Sequence, residues 1–97
     1  MIAIVKFEDE AGKEGLRAQH MQAHLAFIDA NAAAFIAAGP AFAEDGTPVG
    51  GYWLLDVEDR AAARVLVEAD PFWSTGLRKT VEIVEWRRVW ADGARLI

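Results

Sequence analysis

Two histidines and an arginine on one predicted helix are the residues whose types and spacing best suit chemistry. His20 and His24 lie four positions apart, and Arg17 precedes His20 by three. At 3.6 residues per turn they form a narrow strip of the helix surface that also contains Asn31. Apolar side chains border this strip on both sides: Leu16, Ala23, Phe27, Met21, Leu25 and Ile28. The strip therefore faces inward, where polar groups cost free energy unless they are paired.

Three interpretations fit the histidine pair. Two histidines at this spacing can share a metal ion, but such a motif needs a third ligand and usually a glutamate between them. The intervening residues are Met21, Gln22 and Ala23, so we expect no metal. The imidazoles can instead be half-buried groups with satisfied hydrogen bonds. Alternatively, one of them is an acid–base catalyst, because an unperturbed imidazole titrates near neutral pH.

Asp70 is the candidate carboxylate partner for a catalytic histidine. A carboxylate on the second ring nitrogen fixes the tautomer and stabilises the imidazolium. Asp70 ends the second predicted helix, and both helices of an α+β fold would lie on the same face of its sheet. The alternative is that Asp70-Pro71 is an ordinary helix end or turn opener. Ser74, the single serine, lies in a short connector, and no glycine-rich phosphate motif is present, so we expect neither a serine nucleophile nor a cofactor.

The composition predicts one globular domain over residues 1–97, with 54% hydrophobic and 26% charged residues. Ten basic against 15 acidic residues give a net charge of −5, which argues against nucleic acid or an anionic membrane as a partner. The absence of cysteine excludes disulfides and thiolate catalysis and favours a cytoplasmic location. No segment predicts a signal peptide or a membrane span.

The elements that must position these residues alternate between strands and helices. The predicted strands are Ile2–Phe7, Tyr52–Val57 and Thr80–Trp90, the helices are Leu16–Asn31 and Glu58–Ala69, and 43–51 is a turn region. The stretch 32–38 is ambiguous. Its alanines favour an extension of the first helix, but the helix can also end at Asn31 and be followed by a short strand over Ala34–Gly39. With that strand, the order is the ferredoxin-like βαββαβ plan, an antiparallel sheet with two helices on one face.

The predicted strands are apolar on both faces. The first strand, for example, offers Ile2 and Ile4 to one side and Val5 and Phe7 to the other. Two helices cover only one face, and the four tryptophans add further apolar area. We expect a second subunit to cover the open face in a homodimer. The alternative is that the C-terminal segment and the long loop fold over it.

An ordered series of short motifs resembles the YciI-like (YCII-related) family. The series consists of Arg17, His24-Leu25, Gly39-Pro40, Gly50, Asp70-Pro71-Phe72, Gly76-Leu77, Val81-Glu82-Ile83 and Trp86. The resemblance implies a ferredoxin-like subunit, a dimeric α+β barrel, a strand ending at Gly39-Pro40, and a His–Asp pair carried by His24 and Asp70. One branch of the family is similar to dehydrochlorinases of chlorinated hydroxyquinols, and the fold is similar to that of muconolactone isomerases. Gly51, Met21 and His20 depart from the family pattern.

The residues and the resemblance together predict a small-molecule enzyme that performs a lyase- or isomerase-type proton transfer, similar to dehydrochlorination. His24 would be the general base, Asp70 would orient it, and Arg17 would hold an anionic group. We also expect substrate contacts from His20, Gly39, Pro40 and Trp73. The alternative is a non-catalytic dimeric module that binds or senses a small molecule.

Overall fold

Four long strands and two helices make up most of the chain. The computed structural model describes all 97 residues. The elements are β1 (Ile2–Asp9), α1 (Glu14–Ala30), β2 (Phe35–Phe42), β3 (Pro48–Asp56), α2 (Arg60–Ala69), a 3-10 turn (Trp73–Thr75), β4 (Arg78–Glu85), β5 (Trp90–Ala91) and β6 (Ala94–Arg95). The four long strands form one antiparallel sheet in the order β2-β3-β1-β4. This is the predicted α+β ferredoxin-like architecture.

The ambiguous alanine-rich stretch 32–38 divides between a turn over residues 32–34 and the edge strand β2. Asn31 caps the helix, and its side-chain Nδ2 donates to the carbonyl of Phe27 at 2.9 Å. The chain then turns and pairs with β3 from Phe35 onwards. Helix propensity is overridden because the backbone of β2 gains hydrogen bonds from the sheet. Pro40 is tolerated because β2 is an edge strand.

Two predicted boundaries are wrong. The last strand ends at Glu85 rather than at Trp90, and Trp90-Ala91 pairs instead with Ala94-Arg95 in a separate small hairpin. Asp92 and Gly93, with φ of 54° and 81°, form the turn of that hairpin, since both residue types tolerate the left-handed region. The turn region predicted over 43–51 is shorter, because β3 already begins at Pro48.

The main core lies between the sheet and the two helices. Its buried residues alternate along the strands, as expected for one face of a sheet: Ala3, Val5, Phe7, Trp53 and Leu55. The amphipathic helix α2 adds Ala63 and Val67. By contrast, the single buried residue of the 17-residue helix α1 is His24. A polar side chain thus occupies the most enclosed position of that helix, which marks it for a specific role.

Gly50 allows β3 to approach β1 closely. Its φ of +151° is rare for residues with a side chain, and a Cβ at this position would overlap the carbonyl oxygen of Phe7. The close pairing of Gly50 with Glu8 therefore depends on glycine.

The face of the sheet opposite the helices carries an apolar patch, with the charged residues Lys6 and Glu82 on the same face beside it. The strand register places the following residues there, which we call the open-face patch: Ile2, Ile4, Tyr52, Leu54, Val84 and Trp86. Tyr52 is 47% exposed and Trp86 44% exposed. Neither helix combines the length and the apolar character that crossing a bilayer requires.

Candidate active site

His24 and Asp70 are in direct hydrogen-bond contact. Nδ1 of His24 lies 2.9 Å from Oδ1 of Asp70, and the two residues are only 7% and 2% exposed. α1 presents His24 to the sheet, and Asp70 caps the C-terminus of α2 with an extended backbone, as a residue before proline must. Because both helices lie on one face of the sheet, residues 46 positions apart in the chain meet. The sequence predicted this proximity.

The carboxylate of Asp70 has further partners. Oδ1 also accepts the backbone N–H of Phe72 at 3.2 Å, and Oδ2 lies 2.7 Å from Nη1 of Arg78. The Arg78 contact is an ion pair without the alignment of a hydrogen bond. Burial raises the pKa of Asp70, but the His24 hydrogen bond and the Arg78 charge outweigh it and hold that pKa below the usual value. Asp70 is therefore an anion at neutral pH.

The ionised Asp70 determines the tautomer of His24. A carboxylate only accepts hydrogen bonds, so the neutral imidazole must carry its proton on Nδ1. Nε2 then keeps a free lone pair, and no protein group bonds to it. The ring is held in place by Phe72, with centroids 4.4 Å apart, and by Trp53 at 6.3 Å. This arrangement can accept a proton at Nε2 while Asp70 stabilises the resulting imidazolium.

Arg78 belongs to the site although sequence reasoning missed it. Strict alternation along β4 from Val81 and Ile83 would point Lys79 to the core and Arg78 to solvent. An irregularity in the β1–β4 pairing skips Lys79, so Arg78 pairs with Asp9 and shares the inner face. The Arg78 side chain is 5% exposed, against 56% for Lys79. A buried arginine at a strand end is not signalled by periodicity.

Arg17, the third charged residue near the pair, forms its own ion pair. Its Nη2 donates to Oδ2 of Asp9 at 2.7 Å, and its guanidinium lies 5.5 Å from the centre of the Phe72 ring. Arg17 therefore approaches the ring that supports His24, while Asp9 partly neutralises its charge.

Two adjoining cavities border these residues, and Tyr52 lines both of them. The smaller, of about 120 Å³, is bordered by His24, Arg17 and Arg78. The larger, of about 840 Å³, shares Arg17 with it but contains neither His24 nor Asp70. The smaller cavity holds the reactive groups, and the larger groove, which shares four lining residues with it, supplies space for the rest of a ligand.

The structure brings some of the predicted substrate-binding residues to the small cavity and leaves others out. Gly39 and Pro40 line it, together with Arg17. His20 and Trp73 line neither cavity. The 3-10 turn after Asp70-Pro71 carries Trp73 towards α2, where the Arg64 guanidinium lies 5.2 Å from its ring centre. We therefore assign no substrate contact to His20 or Trp73. No three His, Asp or Glu side chains are grouped so that they could hold a metal ion.

The fold and the site define a small ferredoxin-like protein with a buried, carboxylate-oriented histidine at a cavity. The chain belongs to the YCII-related family, whose domain model matches residues 1–87. No curated protein matches it.

Two solved structures share the fold. The 5-chloro-2-hydroxyhydroquinone dehydrochlorinase TftG from Burkholderia phenoliruptrix AC1100, solved with 2,5-dihydroxybenzoquinone, is similar with a TM-score of 0.80 and 24% identity over 90% of this chain and 94% of that one. An uncharacterized NIPSNAP domain protein from Burkholderia xenovorans is similar with a TM-score of 0.51 and 20% identity over 94% of this chain and 98% of that one. At these identities the likeness shows the fold.

Proposed function

We propose that the protein is a cytoplasmic, homodimeric small-molecule enzyme that transfers a proton between its substrate and His24 in a lyase- or isomerase-type reaction. The observation that carries the proposal is the contact of His24 Nδ1 with Asp70 Oδ1 at 2.9 Å, with Nε2 left unbonded beside a cavity.

Each charged group has a distinct role in the proposed reaction. His24 Nε2 takes the proton from the substrate, and Asp70 stabilises the imidazolium that forms. Arg17 borders both cavities and can donate to an anionic oxygen of the bound molecule. A positioned base of this kind contributes about 10²- to 10⁴-fold to the rate.

The structural neighbour suggests which reaction to test first. TftG is a dehydrochlorinase by name and was solved with a dihydroxylated quinone. In the elimination of HCl from the keto tautomer of such a ring, a base takes a hydroxyl proton, the O–H electrons form a C=O bond, the adjacent ring double bond shifts to the chlorinated carbon, and chloride leaves with the electrons of the C–Cl bond. That chemistry needs one well-placed base, and the His24–Asp70 pair offers one. We propose chlorinated hydroxyquinols as the first substrate class.

The open-face patch supports the proposed homodimer. A monomer would leave this apolar surface in water, and Tyr52 and Trp86 are nearly half exposed. A second copy of the chain, packed sheet against sheet, would cover it with the same patch, as two-fold symmetry requires.

The test is turnover of a compound panel by matched variants. Wild type, His24→Ala and His20→Ala are each incubated with chlorinated hydroxyquinols and with lactones, and chloride release and product absorbance are followed. We expect turnover by wild type, a loss of about 10²- to 10⁴-fold in His24→Ala, and little change in His20→Ala. His20 is the matched control because it lies one turn away on the same helix and borders neither of the two cavities.

The same experiment separates the enzyme from the binding module. Full activity in His24→Ala would refute the assigned role. A compound that raises the melting temperature of the wild type without being converted would instead identify a non-catalytic binding protein.

A further inference from the structure

Arg78 is a buried cation with hydrogen-bond donors that the protein does not use. A guanidinium carries five N–H donors. Nε and Nη1 of Arg78 are both enclosed and lack an aligned acceptor, although Nη1 lies 2.7 Å from Oδ2 of Asp70. Nη2 forms no hydrogen bond either and, unlike Nε and Nη1, is not fully enclosed, and Arg78 lines the small cavity. Buried donors without partners are uncommon in native proteins.

The guanidinium is held rigidly. It stacks over the Phe7 ring at 3.7 Å from the centroid and approaches Trp53 at 5.3 Å and Phe72 at 5.4 Å. Three aromatic rings and one carboxylate thus fix its position before any ligand arrives. A fixed planar fork suits an oxygen anion better than a mobile lysine does.

Arg78 has a single carboxylate in direct contact, that of Asp70. Oδ2 of Asp70 contacts the guanidinium, while Oδ1 forms hydrogen bonds with the His24 ring and the Phe72 backbone N–H. Burial lowers the pKa of Arg78, while the negative charges of Asp70 and Asp9 raise it without restoring the usual value. The nearest other cation, Arg17, is bonded to Asp9. An oxyanion bound in the cavity would give the guanidinium of Arg78 a second acceptor besides Asp70.

We infer that Arg78 is the residue that selects the substrate class, by binding an oxyanion of a hydroxylated ring inside the His24 cavity. The inference rests on the proposed function, because it concerns the same cavity. An ionised hydroxyl oxygen held by Arg78 would place the rest of the ring beside Nε2 of His24. An uncharged, fully alkylated analogue would lack this contact and would bind less well.

Binding of 2,5-dihydroxybenzoquinone, measured by titration calorimetry, tests the inference without requiring turnover. Wild type is compared with Arg78→Met, Arg78→Lys and Lys79→Met. Lys79→Met is the matched control, since it removes the same charge one residue away on the exposed side. We expect binding about 10- to 100-fold weaker in Arg78→Met, the effect of losing a hydrogen bond to a charged group. Arg78→Lys, which keeps the charge and protects the fold, should lose less. Lys79→Met should bind as the wild type does.

The probe is compared in each variant with 2,5-dimethoxybenzoquinone, which keeps the ring but carries no anion. We expect weaker binding of this analogue and no dependence on Arg78. Equal affinity of folded wild type and both Arg78 variants for 2,5-dihydroxybenzoquinone would overturn the inference, as would a wild type that does not bind it. Arg78-dependent binding without turnover of any panel compound would refute the enzyme and leave the binding role of Arg78 standing.

Discussion

Replacing Asp70 with asparagine should strongly destabilise the protein. The Asp70 side chain is fully buried and that of Arg78 is 5% exposed, so their ion pair is almost completely shielded from water. Asparagine can still accept the Phe72 N–H, but it leaves the guanidinium without a counter-charge. Breaking a buried pair in this way costs about 3–5 kcal/mol. That is a large part of the 5–15 kcal/mol by which a typical domain is stable.

The assay is urea unfolding followed by circular dichroism at one fixed protein concentration, because a dimer's stability depends on concentration. The control is Glu68→Gln, which removes an exposed i,i+4 pair with Arg64 and should cost only about 0.3–0.5 kcal/mol. The double variant Asp70→Asn/Arg78→Met should be less destabilised than Asp70→Asn alone, since no unpaired cation remains. A cost below about 1 kcal/mol for Asp70→Asn would refute the account of the buried pair.

Three further predictions concern pH, backbone and assembly. Because the pKa of Asp70 is lower in the folded state than in the unfolded state, the charged carboxylate stabilises the fold above the ordinary value of 3.8, and this stabilisation is lost as the pH falls below it. On acidification, the free energy of unfolding should therefore fall less in Asp70→Asn than in the wild type. Identical curves of unfolding free energy against pH for the two proteins would contradict this. Gly50→Ala should cost about 3 kcal/mol or more in urea unfolding because its Cβ has no room, whereas Gly15→Ala, with open space, should cost nothing. Leu54→Lys in the open-face patch should split the dimer and halve the mass measured by light scattering. The control Val65→Lys changes a side chain that is already 67% exposed and should leave the mass unchanged. An unchanged mass in Leu54→Lys would argue against this interface.

The architecture could be predicted because local pattern and tertiary packing agree over most of the chain. The strands around Val5 and Trp53 are β-branched and aromatic, and Asp59 caps α2 by accepting the Ala62 N–H at 2.8 Å. The alanines before Gly39 do not predict a strand, because alanine favours a helix, yet in the structure they pair with β3 at the edge of the sheet. The end of β4 was missed because the apolar residues beyond Glu85 continue the strand pattern although the pairing with β1 has ended.

Only the part of the site that lies on the two helices could be predicted from the sequence. The inward strip on α1 and the helix end at Asp70-Pro71 were enough to bring His24 and Asp70 together. The sequence did not predict Arg78 at the site because the β1–β4 pairing skips Lys79, which turns the Arg78 side chain to the inner face of the sheet instead of to solvent. The position of Trp73 beside Arg64 of α2 is likewise not signalled by the three residues of the short 3-10 turn.

The imidazole ¹⁵N spectrum of His24 tests the central claim most directly. At a pH where the ring is neutral, the contact with Asp70 predicts a protonated Nδ1 and an unprotonated Nε2. Long-range ¹H–¹⁵N correlation distinguishes the two nitrogens, and the His24→Ala variant assigns the signal against His20. A spectrum with the proton on Nε2 would show that the lone pair faces Asp70 instead of the cavity, and His24 could not then act as the base.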